Sequence, residues 1–256
     1  MNIDLLLSAM MVSHARGNLS VRGLLPFKAP DSAKDIPLVF ECAPHSFRSR
    51  FRHAPITAVE DWFAYQRACG LEKITLWRPP EGEDYRLVGL SGYSSLSMIC
   101  RYGNGDAAAF VPRWTGFEDG KRPGLRFTEN HLVSYDIPHD TYHDNTQAFI
   151  AVLDEIAALA EDIGFPWFAD RYREARDILT GSFPCSPDLL LPCMGETGKR
   201  LMNAALSADH FGCMGSWNDT PPIVAAEMGL KQDYDRLAAA LFSELRMAVL
   251  YAANHG

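Results

Sequence analysis

Apolar and polar residues alternate in short runs through the first half of the chain, and beyond residue 137 the apolar positions recur every three to four residues. The early runs IPLVFEC (36–42), EKITLW (72–77), DYRLVGL (84–90), SLSMICRY (95–102), AAAFVPRW (107–114) and NHLVSYDI (130–137) have β character. The turn-forming stretches RPPEGED, GNGD and FEDGKRPG separate them. This spacing predicts the strands of a mainly antiparallel sheet. GNGD, between Tyr102 and Ala107, reads as a hairpin turn because Gly and Asn tolerate the positive φ a tight turn needs. One helix interrupts the series: TAVEDWFAYQRACG, with Thr57 at the N-cap, Glu60 three residues on and Gly70 as the stop. The N-terminal MNIDLLLSAMMVSHARG predicts an amphipathic first helix. It is too short to span a bilayer, and without a leading positive charge and with Asp4 inside it, it makes a poor signal peptide.

In the second half, Phe149, Val152, Leu153, Ile156, Ala160 and Ile163 fall on one face of a helix that ends at Gly164, with Asp144 and Gln147 as candidate caps. FPWFADRYREARDILTG buries Phe168, Tyr172, Ala175 and Leu179 and stops at Gly181, and ETGKRLMNAALSADH is a third, shorter helix. A short helix opens at Thr220 with Pro221 in its first position, and a long one runs from about Asp233 to Ala252. The stretch 182–195 fits no element. The fold class expected is therefore α+β: a sheet-rich region with one or two helices over 1–136 and a helical region over 137–256, packed together as one globular unit.

Charge divides the chain at the same place. Residues 1–140 carry sixteen Lys/Arg and sixteen Asp/Glu, so the eight basic and sixteen acidic residues of 141–256 account for the whole formal charge of -8. A net negative field disfavours nucleic-acid phosphate and anionic lipid and favours basic partners. The six cysteines include no CxxC pair, the pattern of reduced thiols in a cytoplasm. No nucleophile elbow, dinucleotide fingerprint or P-loop is present.

Candidate chemistry is sparse. IPHDTYHDN (137–145) sets His139 and His143 four apart, a spacing that lets two imidazoles share a divalent metal such as zinc if Pro138 opens a helical turn. Asp140 and Asp144 lie beside them, and Glu129 and His131 are candidate third ligands. Asp209, His210 and Cys213 supply the residue types of a thiol site. HSFRSRFRH (45–53) places Arg48, Arg50 and Arg52 on one face of a strand, where an anion or acidic peptide could dock. HFGCMGSWNDTPP (210–222) reads as a brief extended segment that buries Trp217 and leaves Ser216, Asn218 and Asp219 as candidate contacts to a partner. Glu155, Glu161 and Asp162 lie off the apolar stripe of their helix. They are the leading candidates for docking a basic protein, so the expected function is that of a cytoplasmic, non-enzymatic binding protein without a cofactor. A metal-dependent hydrolase centred on His139 and His143 is the alternative.

Overall fold

The computed structural model describes residues 3–20, 26–43, 54–78, 84–87, 96–116, 123–132, 142–186, 194–212 and 214–255. The fold is α+β. The sheet comprises β1 (Leu38–Glu41), β2 (Leu71–Trp77), β3 (Ser97–Tyr102), β4 (Ala107–Thr115) and β5 (Gly124–Leu132) in the order β1-β5-β4-β3-β2. Three pairings are antiparallel, and only β1 lies parallel to its neighbour β5. The β3–β4 hairpin turns at the expected place: Gly105 takes φ +88°, and Asn104 accepts from the Asp106 amide at 3.0 Å.

Helix α1 (Ile3–Ser20) is not the amphipathic helix its sequence predicts. Leu5, Leu6, Leu7, Ala9, Met10, Met11 and Val12 are buried, and so are the polar Asp4, Ser8, Ser13, His14 and Asn18. Burial on every side leaves it without the solvent face that an amphipathic helix presents. It packs against β2 and the long C-terminal helix α7 (Lys231–His255). Buried polar groups need partners, and His14 and Asn18, one turn apart, supply each other at 2.8 Å, while Arg16 donates to the Ala253 carbonyl at 2.9 Å. Helix α7 also protects a sheet edge. Asn254 accepts from the Leu76 amide and donates to the Leu76 carbonyl, both at 2.8 Å, so one side chain satisfies both backbone groups of Leu76 on the outer side of β2.

On the sheet, α2 (Val59–Ala68) seats Trp62 between Phe40, stacked at 4.9 Å, and Phe110, edge-on at 5.2 Å. Its start differs from expectation. Thr57 does not cap it, and Glu60 cannot complete a capping box because its carboxylate accepts from the Phe27 amide at 2.8 Å. Two expected strands also shift. Tyr85–Leu87, inside the run 84–90, forms a 3-10 turn. The strand placed at 130–137 begins instead at Gly124, since Leu125 and Phe127 already supply buried positions alternating with the exposed Arg126.

The second half carries α3 (Thr146–Asp162), α4 (Pro166–Thr180), α5 (Glu196–Ala208), α6 (Pro221–Glu227) and α7. Helix α4 ends at Gly181, whose φ of +81° is costly for any other residue. Thr220 stands at the N-cap of α6, but its hydroxyl makes no capping bond. The ion pairs Asp154–Arg176 and Glu161–Arg173 run in opposite senses along α3 and α4, so the two helices are antiparallel. One continuous core includes Leu6, Trp62, Phe127, Phe149, Trp217 and Leu241, drawing on both halves of the sequence.

Candidate functional site

Four places bear on function: the loop around Trp217, the acidic face of α3 and α4, the approach to α3 at His143, and a thiol cluster under α2. The loop after α5 is a succession of turns, not the extended segment expected, with Gly215 at φ +79°. Trp217 is 0% exposed. Tyr172 and Phe168 meet it edge-on at 5.5 and 5.2 Å, Tyr234 lies 5.3 Å away, and the Tyr234 hydroxyl donates to the Trp217 carbonyl at 2.6 Å. The polar residues beside it face the loop's own backbone. Asn218 Oδ1 accepts from the Gly212 amide at 2.8 Å and the Ser216 hydroxyl at 2.7 Å. Asp219 accepts from the Gly215 amide at 2.8 Å, and Asn218 Nδ2 donates to the Tyr85 carbonyl at 3.3 Å. Met214 is the large apolar side chain that the described part of this loop presents outward, at 94% exposure.

His210 opens the loop with its ring 5.0 Å from Trp167 and 5.7 Å from Phe168. Burial among these rings pushes its pKa down to about 4, so the imidazole is neutral at pH 7. Asp209, beside it, is buried, and Cys213 lies outside the described residues.

The acidic face has a regular design. Arg173 lies between Glu161 at 2.7 Å and Asp170 at 3.7 Å, Arg176 between Asp177 at 2.7 Å and Asp154 at 3.2 Å, and Arg236 of α7 between Glu155 at 3.1 Å and Asp233 at 3.8 Å. Each arginine is shared by two carboxylates, so each cluster keeps one net negative charge. The hydrogen bond from Arg173 holds the Glu161 carboxyl below its ordinary pKa, which keeps it ionised. Asp162 is exposed and makes no ion pair among the described residues, whereas Arg171 and Glu174 neutralise each other at 2.7 Å. Trp167, 57% exposed, stands on α4 one turn before Asp170.

Of the metal candidates, His143 is exposed in an irregular lead-in to α3, while His139, Asp140 and the turn that would join them to His143 lie outside the described residues. The N-cap of α3 is Asn145, without a side-chain cap bond; Asp144, one residue before it, accepts from both the amide and the hydroxyl of Thr146 at 2.9 and 2.6 Å, and Gln147 lies inside the helix. Glu129 is buried on β5 and accepts from the Ala43 amide at 2.8 Å, while His131 is exposed. Among the described residues no three His, Cys, Asp or Glu side chains converge as a metal ion would require. The arginine cluster at 45–53 also lies outside the described residues.

Two groupings were not foreseen from the sequence. Gln66, buried on α2, accepts from the Tyr102 hydroxyl at 2.7 Å and lies 3.8 Å from the Cys42 sulfur; Cys69 and Cys100 are close enough to feel Glu129. Burial first, and Glu129 second, push the Cys42 thiol up to about 12, so this is a set of protonated, unreactive thiols. A cleft of about 610 Å³ separates the N-termini of α3 and α5, with Arg200 on one wall. Nothing in the spacing of α5 distinguishes Arg200 from an ordinary partner of Glu196, four residues earlier. No protein family model matches the chain, and no characterised protein or solved structure resembles it significantly.

Proposed function

We propose that the chain is a non-enzymatic binding protein that docks a basic protein segment on the acidic face of α3, α4 and α7. The observation that carries this reading is the sharing of Arg173, Arg176 and Arg236 between paired carboxylates, which fixes the acids in place without neutralising them. A partner then meets pre-positioned charges, and the ordering cost of the carboxylates on association is reduced. Trp167 adds an aromatic face on which a lysine or arginine can stack. The same field repels nucleic acid and anionic lipid, and no helix among the described residues is long and apolar enough to cross a membrane. The free thiols of Cys42, Cys69, Cys100 and Cys185 support a cytoplasmic setting.

Affinity capture on the immobilised chain tests the reading. At low salt it should retain a protein of basic net charge that 1 M salt releases, and a Glu155→Lys, Glu161→Lys, Asp162→Lys variant should retain none. Capture that survives both changes refutes it. The metal-hydrolase alternative rests on sequence spacing alone. It predicts near-stoichiometric metal lost in a His139→Ala, His143→Ala double variant, whereas the binding reading predicts less than about one tenth of an equivalent of zinc, far short of the occupancy a three-ligand catalytic site maintains.

A further inference from the structure

We infer that the basic segment this chain docks is an amphipathic helix, whose apolar side settles on the connection between α5 and α7 while its cations meet the acidic face of α3 and α4. This partner class rests on the docking role proposed above and adds an apolar half to it. Among the described residues five large apolar side chains are exposed: Trp167, Phe183, Met214, Ile223 and Met228. Met214, Ile223 and Met228 belong to residues 209–230, which join α5 to α7, and Trp167 touches the same connection through its ring contact with His210 at 5.0 Å. The connection is anchored by Phe211 and Trp217, which are buried, so its stability does not call for three further apolar side chains held in water. Apolar groups gathered in this way mark a surface that something covers.

The fold keeps these side chains near one another. The Trp217 amide donates to the His210 carbonyl at 2.8 Å and closes the loop, so the α carbon of Met214 stands within about 15 Å of the α carbon of His210, against which Trp167 packs. Helix α6 follows directly, with Ile223 in its first turn and Met228 at its C-cap. On the other side Asp170 comes one turn after Trp167 and shares Arg173 with Glu161, so the apolar surface runs on into the acidic face.

Charge selects the occupant. Residues 209–230 contain Asp209, Asp219 and Glu227 and no Lys or Arg, and Glu227 is exposed without an ion pair among the described residues. A second copy of the chain would bring its own formal charge of -8 against this surface, and an anionic lipid would be repelled as well. A cationic segment with one apolar side satisfies both halves. Its backbone must be helical, because α3, α4 and α6 bond their own amides and offer no sheet edge to which an extended peptide could add. The thioethers of Met214 and Met228, unbranched and polarisable, accommodate the apolar side chains of such a helix without demanding one shape.

Calorimetric titration of the full chain with two synthetic peptides tests the assignment. Both have about eighteen residues, or five helical turns, and the same lysine and leucine content; in one the leucines recur at helical spacing, and in the other their order is scrambled so that no apolar face forms. In about 0.15 M salt the amphipathic peptide should bind at least about tenfold more tightly, and Met214→Ser combined with Trp167→Ala should remove that advantage. The Glu155→Lys, Glu161→Lys, Asp162→Lys variant should weaken both peptides. Equal binding of the two peptides by the natural chain overturns the amphipathic partner and leaves the acidic docking face standing, whereas no binding of either overturns both. A free chain that sediments as a dimer, and as a monomer once Met214→Ser is introduced, also overturns it, since a second copy then covers the surface. Should the double variant not fold, Met214→Ser alone, at a position 94% exposed, decides.

Discussion

The loop at 210–219 and the acidic face of α3 and α4 look alike in sequence, since each offers polar side chains beside a large aromatic residue. In the loop the aromatic, Trp217, is fully buried, Asn218 and Asp219 bond backbone amides around it, and the Ser216 hydroxyl donates to Asn218. On the helices the aromatic, Trp167, is exposed and the carboxylates remain charged and outward. The difference teaches that residue type does not fix a polar side chain's role; the nearest unsatisfied backbone does. Where turns leave amides open, Asn and Asp satisfy them. Helix interiors satisfy their own amides, so acids there are left for solvent, arginine or a partner.

The comparison breaks first at Trp217. If the loop is an anchor, Trp217→Ala should cost about 3–5 kcal/mol through lost burial plus the cavity left behind, read from chemical denaturation. Trp167→Ala, by contrast, should leave stability within about 0.5–1 kcal/mol. Equal losses at the two tryptophans would erase the distinction.

His210 sharpens it through pH. Its folded pKa of about 4 lies below the ordinary value of 6.5, so between these limits the unfolded chain binds more protons than the folded one. Stability is then fully present above about pH 6.5 and lost as pH falls toward 4, by up to roughly 3 kcal/mol from this one group. Unfolding curves at pH 7 and 4.5 should show a smaller acid loss in His210→Phe than in the natural chain, and identical losses would mean the imidazole is not buried neutral. A smaller effect, about 1–2 kcal/mol, is expected for Asn218→Ala, which strips the Gly212 amide and the Ser216 hydroxyl of their acceptor. The smallest belongs to the helices, where Arg236→Ala should shift stability by less than about 1 kcal/mol because its ion pairs are exposed.

Much of this was legible in the sequence. The apolar stripes of α3, α4 and α7 and the glycine stops at 164 and 181 are local signals, and local signals survive folding. The burial of Trp217 is as expected, although the extended segment from which that expectation came is instead a succession of turns. Helix α1 departs from the amphipathic expectation because Asp4, Ser8, Ser13, His14 and Asn18, polar residues that suggest a solvent face, are buried together with its apolar residues. The pairing of Glu155 with Arg236 and the cleft beside Arg200 depend on residues 81 and more than 50 positions apart, contacts that no periodicity encodes. Tyr85 lies in a turn despite its β-like neighbours because its ring packs 5.8 Å from Phe211 and its hydroxyl donates to Asp235, which are tertiary constraints.

The most direct test of the acidic docking face is the association rate of the captured basic partner as a function of salt. Electrostatic steering fades as the Debye length shrinks from about 10 Å at 0.1 M to about 3 Å at 1 M, so the rate should fall steeply over that range for the natural chain. For the Glu155→Lys, Glu161→Lys, Asp162→Lys variant, whose thermal melt should confirm an intact fold, the low-salt rate should already be slow and nearly independent of salt. A variant that associates at the natural rate with the natural salt dependence would contradict the account.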